Sequence, residues 1–291
     1  MSDRYPSPLR YPGGKTSIAD VLESVIEMNG LDGCTFIEAF AGGAGAALKL
    51  LRRGVVDRIV INDRDRSVFC FWKCVMTQTQ ALVDRIENVP LDIDEWRRQR
   101  EIYLSPGRCK HLDLGFAAFY LNRCNRSGII KNGGPIGGID QSGRWKIDAR
   151  FNREALSARI VEIAEYGDRI VVSNEDAAAL LDTAADRFRS PIFIYADPPY
   201  YDKGRELYLN FYEDADHVDL AKQMAGLDSA SWVMTYDNVP RIRELYAGNQ
   251  LLEFSQRYSA HQSSRNGDEL LIAPPRIRLP KRQLRQLARA S

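Results

Sequence analysis

The 291-residue sequence predicts an α/β protein whose mostly parallel sheet is covered by helices on both faces. Short apolar runs that suit buried strands alternate along the chain with stretches of helical periodicity. This alternation of strand-like and helix-like segments stops near Pro90 and resumes near Asn152, which predicts a module inserted into one large domain. A composition of 44% apolar and 27% charged residues agrees with one core of that size.

The first part of the chain has the order loop, helix, strand, helix, strand. Helical spacing covers residues 16–28 and 45–53, and buried-strand runs cover 34–39 and 58–62. Since a helix separates the two strands, we expect them to be parallel neighbours.

Charged helices are expected after Pro90, followed by a glycine-rich run in which Gln141-Ser142-Gly143 turns a hairpin. We expect an insertion at 91–151, within a discontinuous core domain of 1–90 and 152–275, and a basic tail at 276–291. The returning rhythm predicts helices at 152–166 and 177–188 and strands at 169–173, 193–196, 231–235, 251–258 and 269–273.

Charge is distributed unevenly, although the net charge is only +1. Between Asp94 and Arg153, twelve Lys or Arg side chains stand against six acidic ones, and residues 276–291 hold six basic side chains and no acidic one. Both zones suit contact with phosphates. A solvated, frayed terminus explains the tail equally well.

The five cysteines are scattered, and with three histidines they offer no metal-ligand spacing, so we expect reduced thiols and no metal. Nothing resembles a signal peptide, and no apolar run approaches the roughly 20 residues of a membrane span. We therefore expect a soluble, cytoplasmic protein with no membrane partner.

A small-residue motif, FIEAFAGGAGAALKLL, passes from a strand through 40–45 into a helix. Small residues let a ligand approach the backbone, and the helix N-terminus offers free N–H groups. Leu48 stands where the third glycine of a dinucleotide fingerprint belongs, which disfavours nicotinamide binding. Asp63 ends the next strand, where an acid can accept hydrogen bonds from both ribose hydroxyls. Together these features favour a nucleoside site over structural turns.

Another glycine motif, RYPGGKTS, lies near the N-terminus but is not a phosphate loop. Leu9 occupies the position of the first glycine, and no strand precedes it. Lys15 could present its charge to a carboxylate, or be an ordinary exposed lysine.

The strand FIYADPPY ends abruptly, because proline cannot donate to a sheet ladder. Asp197 is left at the carboxyl end of the strand, where open α/β sheets place their ligand sites. In isolation, the motif also fits a proline-rich turn with a half-buried tyrosine.

RYPGGK, EAFAGGAG with Asp63 downstream, a basic insertion and DPPY, in this order, resemble the motifs of the Dam-like DNA adenine methyltransferases. FYLNRCNRSG resembles the family's LNR stretch, SNED its N-x-D adenosyl contact, and SSRNGDELLI its closing strand. The resemblance covers nearly the whole chain. It implies a Rossmann-like, S-adenosylmethionine-dependent methyltransferase sheet with an inserted, mostly helical and hairpin DNA-recognition domain.

The resemblance also implies the activity, which is site-specific methyl transfer to adenine N6 in double-stranded DNA. A cognate restriction endonuclease is a candidate partner. Where the best-known members have an aromatic-rich NRYGYNG-like run, this chain has NRCNRSG, so a GATC target is not implied.

Site residues follow from the same resemblance. Lys15 and Glu38 would contact the methionyl end of the cofactor, Asp63 its ribose and Asp176 its adenine amino group. The full cofactor-binding set is Tyr11, Lys15, Glu38, Phe40, Ala41, Gly42, Gly43, Asp63, Asp176 and Asp197. The catalytic set is Asp197, Pro198, Pro199 and Tyr200, and the DNA-binding set is Asn122, Arg123, Asn125, Arg126, Lys131, Arg144, Lys146 and Arg265.

The chemistry explains why DPPY suits an exocyclic amine, which is a poor nucleophile because its lone pair is delocalised into the ring. The Asp197 carboxylate and the Pro198 carbonyl could accept its two N–H bonds and localise that pair. The base must first leave the duplex, and Tyr200 offers a ring to stack on it. An RNA adenine or DNA cytosine-N4 methyltransferase stays open as an alternative, as does a silent DNA-binding relative, although DPPY is intact.

Overall fold

The computed structural model describes residues 6–11, 18–188, 191–202, 212–228, 230–260 and 263–284. At 108, 255–260 and 263–268 only the backbone is described.

Seven strands form one sheet in the order β3-β2-β1-β4-β5-β7-β6. Strands β1 to β5 are parallel, and β7 runs antiparallel to both β5 and β6. The strands are β1 (Thr35–Glu38), β2 (Arg58–Asn62), β3 (Ile170–Ser173), β4 (Ile192–Ala196), β5 (Ser231–Asp237), β6 (Gln250–Ala260) and β7 (Ser263–Ala273). The predicted mostly parallel, Rossmann-like sheet is confirmed. Six strands lie within two residues of their predicted bounds, whereas β7 begins at Ser263, six residues before the predicted start at 269.

Helices cover both faces of the sheet. They are α1 (Ala19–Met28), α2 (Gly45–Arg52), α3 (Arg66–Thr77), α4 (Thr79–Asn88), α5 (Ile93–Leu104), α6 (His111–Cys124), α7 (Arg153–Ala164), α8 (Ala177–Arg187), α9 (Asp214–Ala225) and α10 (Pro240–Leu245). Side-chain caps fix several of the starts, since Asp65, Asp92, Asn152 and Asp176 each accept a first-turn N–H group.

Alternate residues of the central strands enter two separate hydrophobic clusters. Phe36 and Tyr195 belong to one cluster, and Ile37 and Ile194 belong to the other. Because both strands are buried on both faces, β4 is continuously apolar, and β1 is buried at every position, including its polar ends Thr35 and Glu38.

The helices of the inserted segment share the first of these clusters. Gly115 on α6 allows close packing on α3, since a Cβ atom there would lie 2.6 Å from the Phe71 backbone nitrogen. The rings of Phe71 and Phe119 stack at 5.4 Å. The helices within residues 91–151 therefore pack continuously with the helices that cover the sheet.

The hairpin expected at Gln141 is wrong. The fully described run 129–151 contains no strand, and only an isolated bridge joins Asn125 to Pro135. The Gln141 amide instead donates to the carbonyls of Ile136 (2.8 Å) and Gly138 (2.6 Å), and its Oε1 accepts from the Ile147 N–H (2.9 Å). These bonds occupy backbone groups that a ladder would require.

Among the helices of the described ranges, none is both long and apolar enough to cross a bilayer.

Candidate active site

Three acidic residues lie at the carboxyl ends of three neighbouring strands, at one edge of the sheet. Glu38 is the last residue of β1 and is paired in register with Ile61 of β2 and Tyr195 of β4. Asp63 follows β2, and Asp197 follows β4. The chain reverses its strand order between β1 and β4, and open α/β sheets bind ligands at such a point.

Between β1 and α2, the small-residue loop is held between two aromatic rings. Gly42 has φ +47°, and a Cβ atom there would lie 2.8 Å from the Tyr11 ring. Trp72 Nε1 donates to the Gly42 carbonyl at 2.9 Å. Glycine is therefore required at this position both by conformation and by space. Tyr11 was expected in the site, whereas no sequence pattern indicated Trp72 on α3.

Asp63 supports this loop directly. Its Oδ2 accepts from the Gly42 N–H and its Oδ1 from the Asp65 N–H, both at 2.8 Å. Burial, together with the neighbouring Asp65 carboxylate, raises the pKa of Asp63 to about 7. The carboxyl group is thus oriented beside the glycine loop, and its charge depends on pH near neutrality.

Asn62 joins the ends of three strands. Its amide donates to the Ala39 carbonyl (3.0 Å) and the Glu175 carbonyl (3.2 Å), while its Oδ1 accepts from Ser173 Oγ (2.7 Å). Asn62 was not among the predicted site residues, although its position before a strand-terminal acid is a usable signal.

Asp176 caps α8 by accepting from the Ala178 N–H at 3.0 Å. Its other oxygen lies 3.1 Å from Arg64 Nη1. The structure therefore places Asp176 at the same edge of the sheet but gives it structural partners, and its contact with adenine stays a prediction.

The Glu38 side chain is 2% exposed, and its Oε2 accepts from the Ala47 N–H of α2 at 3.1 Å. Phe40 is half-buried and packs edge-on against the Tyr212 ring, with centroids 6.1 Å apart. Lys15, expected beside Glu38, lies outside the described residues.

The DPPY motif sits on a polar network supplied by the following strands. Thr235 Oγ1 donates to Asp197 Oδ1 at 2.6 Å and is itself 2.9 Å from the Tyr195 hydroxyl. The Tyr200 hydroxyl donates to Glu269 Oε1 at 2.7 Å, and only 8% of this tyrosine is exposed. Burial, Asp197 and Glu269 together raise the pKa of Tyr200, so it stays protonated.

Asp237 holds the chain after the motif. Its two oxygens accept the N–H groups of Tyr201 (3.0 Å) and Asp202 (2.9 Å). The sequence did not single out Thr235 or Asp237. Glu269 lies within the DELL stretch that carried part of the resemblance, yet it was given no role.

Two expected base contacts, Asn122 and Asn125, are fully buried. The Asn122 amide bonds both the N–H and the carbonyl of Arg10 at 2.7 Å, and it also donates to the Gly128 carbonyl. Asn125 accepts from Trp96 Nε1 at 2.7 Å and donates to the Ile129 carbonyl. Neither side chain has an exposed amide that could contact a base edge. The prediction that Asn122 and Asn125 contact DNA bases is therefore wrong in this structure.

Arg123 is also engaged by the protein, because its Nε donates to the Arg150 carbonyl at 2.8 Å. Burial and the charges of Arg10 and Arg159 lower its pKa to about 9. The exposed members of the DNA-binding set are Arg126, Lys131, Arg144 and Lys146. The side chain of Arg265 lies outside the description.

These observations fit a bound nucleoside cofactor such as S-adenosylmethionine. Asp63 and Asp176 follow the ends of the neighbouring strands β2 and β3, where a ribose and a purine amine need acceptors, and the Gly42–Gly43 turn is fixed beside them by the Tyr11 ring. Within the described residues, no group of three or more His, Cys, Asp or Glu could hold a metal ion.

Comparison with known proteins gives one family match. The model of the D12 class N6 adenine-specific DNA methyltransferases matches residues 11–260. Comparison with curated proteins finds no match.

Two solved structures are reported among those similar to this chain. The rRNA methyltransferase aviRa from Streptomyces viridochromogenes is 13% identical, with a TM-score of 0.38 over 91% of this chain and 85% of that one. An S-adenosylmethionine-dependent methyltransferase from Agrobacterium tumefaciens is 10% identical, with a TM-score of 0.38 over 90% of this chain and 62% of that one.

Proposed function

Because the chain belongs to the D12 class of N6 adenine-specific DNA methyltransferases, we propose that it methylates an adenine turned out of double-stranded DNA, with Asp197 and Pro198 holding the target amine. The enzyme uses S-adenosylmethionine as methyl donor and acts on adenine in DNA. The proposal concerns how its own residues do so and which of them touch the base.

The observation that carries the proposal is the fixed orientation of Asp197. Thr235 Oγ1 donates to one carboxylate oxygen at 2.6 Å, so the side chain is set before any substrate arrives. The adjoining Pro198 carbonyl is held by the conformational restriction of two consecutive prolines. An acceptor pair fixed in advance costs no reorganisation during the reaction.

Bound cofactor supplies a methyl group on a cationic sulfonium. Asp63 would accept the ribose hydroxyls, and Glu38 would face the methionyl end from the buried end of β1. The Asp197 carboxylate and the Pro198 carbonyl would each accept one N–H of the amine, which directs the nitrogen lone pair toward the methyl carbon. Asp197 would take up the proton that the amine sheds when it is methylated.

Tyr200 would cover one face of the base. Its hydroxyl donates to Glu269, which restrains the orientation of the ring. Tyr200 is 8% exposed and follows Asp197 by three residues in the sequence. Base-on-aromatic stacking is tolerant of base identity, so it would hold the adenine while the acceptor pair reads the amine.

The insertion at 91–151 and the tail after 275 are proposed to bind the duplex. Exposed Arg126, Lys131, Arg144 and Lys146 support this assignment. The DNA substrate and five free thiols suit a reducing cytoplasm. Methylation of a fixed sequence would protect that site from an endonuclease reading the same sequence, which is the partner we propose.

The experiment is incubation of the protein with radiolabelled S-adenosylmethionine and, separately, unmethylated genomic DNA and total RNA. We expect label in DNA, at adenine N6. Label in RNA alone, or at cytosine N4, would overturn the proposal. Sequencing of DNA methylated in a methylation-free host would then give the recognition site.

A further inference from the structure

A cleft of about 450 Å³ opens between the N-terminal segment and the glycine-rich run of the insertion. Four arginines line it, together with Trp145 and small or apolar residues; these arginines are Arg10, Arg126, Arg144 and Arg150. The volume falls in the range of about 300–1,000 Å³ that accommodates a small organic ligand. The sequence indicated Arg126 and Arg144 as DNA contacts but gave no role to Arg10, Trp145 or Arg150.

The positive charge of the cleft is not neutralised by the protein. Within the described part of the chain, none of the four arginines forms an ion pair with a carboxylate. Arg10 Nη1 is buried and has no hydrogen-bond partner there. Burial and the Arg150 charge lower the pKa of Arg10. A bound anion would satisfy the buried donor and remove this repulsion.

Trp145 supplies an aromatic surface at the same place. It is 63% exposed, whereas Trp72, Trp96 and Trp232 are buried. The Arg144 guanidinium lies 5.3 Å from the centroid of its ring. A flat exposed ring among cations is the arrangement that holds a nucleobase and its phosphate.

The backbone of Arg10 is fixed in the wall of the cleft. Asn122 bonds both polar groups of its backbone, and a Cβ atom at Gly128 would overlap the Arg10 carbonyl. The backbone that carries the Arg10 side chain is therefore fixed before a ligand binds, which lowers the entropic cost of binding.

We propose that this cleft binds one nucleotide of the DNA substrate, with the phosphate held by Arg10, Arg126 and Arg150 and the base stacked on Trp145. The inference rests on the proposed function, because it identifies where the insertion grips the duplex. None of the residues that line the cleft belongs to the DPPY motif, so we assign the cleft to a nucleotide other than the target adenine.

The first test is the salt dependence of binding to a fluorescein-labelled random-sequence duplex. For Arg150→Gln, we expect the slope of log K against log salt concentration to fall by about 0.9, the value for one lost phosphate contact. Lys222→Gln removes a positive charge from exposed α9 and should leave the slope unchanged. Equal slopes for wild type and Arg150→Gln would overturn the phosphate assignment.

The second test uses the exposure of Trp145 to acrylamide quenching. We expect duplex DNA to protect the accessible tryptophan fluorescence of the wild type, and Trp145→Phe to remove the accessible component. Trp145→Ala should weaken DNA binding by roughly 5- to 150-fold, with Trp145→Phe restoring most of it. Unchanged quenching at saturating DNA would overturn the stacking assignment.

Methyl transfer by the wild type distinguishes this inference from the proposed function. If the protein labels DNA but both binding tests fail, the cleft assignment alone is wrong. If no duplex accepts label, the proposed function fails first.

Discussion

Replacing Thr235 by valine should reduce turnover without weakening cofactor binding. The side chain is fully buried, and its hydroxyl donates to Asp197 Oδ1 at 2.6 Å. Valine has nearly the same shape, so the change deletes the donor and leaves the packing largely in place. A hydrogen bond to a charged group contributes about 1.5–3 kcal/mol.

If that energy holds Asp197 in its reactive orientation, its loss corresponds to a reduction in kcat of roughly 10- to 150-fold. The free energy of unfolding should also fall, by about 1–3 kcal/mol, because the half-buried Asp197 carboxylate loses a donor. Thr235→Ser keeps the hydroxyl and is the matched control, with kcat close to that of wild type.

The assay is steady-state methylation of DNA, with cofactor affinity measured separately by calorimetry. We expect kcat to fall and the dissociation constant for S-adenosylmethionine to stay within a factor of about 2, since Thr235 touches the target-amine side of the site. Wild-type kcat in Thr235→Val, with the protein folded, would refute the idea that Thr235 orients Asp197.

Three further predictions concern the cofactor edge and the insertion. The pKa of Asp63 is about 7, and we propose that its ionised form accepts the ribose hydroxyls, so cofactor affinity should fall about tenfold from about pH 8 to about pH 6. Calorimetry across that range checks this, and an equally steep fall in Asp63→Asn would contradict it. The raised pKa also means that the Asp63 contribution to unfolding free energy decreases as pH rises from about 4 to about 7, because the folded state binds the proton more tightly. Gly42→Ala should weaken cofactor binding at least about tenfold, because the new Cβ would meet the Tyr11 ring. The control Gly54→Ala, also at positive φ but with no atom within 4 Å of its Cβ, should show only the backbone cost of about 1–2 kcal/mol in thermal unfolding. Equal cofactor affinities of Gly42→Ala and wild type would refute the steric argument. Asn122→Ala should weaken both DNA and cofactor binding by about tenfold, because Asn122 fixes the backbone of Arg10 beside Tyr11. The control Asn152→Ala removes only the α7 cap and should affect stability alone. Loss of DNA binding with unaltered cofactor binding would show that Tyr11 does not depend on the Asn122 contact.

The fold was predictable because its local patterns agree with its tertiary environment. Continuous apolar runs became strands buried on both faces, and Pro198 and Pro199 ended β4 where expected. The hairpin failed for the opposite reason. Its turn signal was local, but the Gln141 side chain took the backbone partners that paired strands would need.

The positions of Asp63 and Asp197 at one edge of the sheet were predictable, because each directly follows a strand. The site was not predictable where support comes from distant chain segments. Trp72, Thr235 and Glu269 act on these motifs across many residues of sequence, and only the packing of α3, β5 and β7 brings them there.

Asparagine was the misleading residue type. Asn122 and Asn125 have the amides that read adenine, but the same amides can satisfy buried backbone groups. In the tight chain path after α6, the backbone groups of Arg10 and Ile129 require such partners. Exposure, which sequence alone does not fix here, separates the two roles.

The most direct test of the account is Asp197→Ala, measured both for cofactor binding and for methyl transfer to adenine. If Asp197 serves the target amine, transfer should be lost while the calorimetric affinity for S-adenosylmethionine stays close to that of wild type. Loss of cofactor affinity, or turnover that survives the substitution, would contradict the assignment of Asp197 to the target amine.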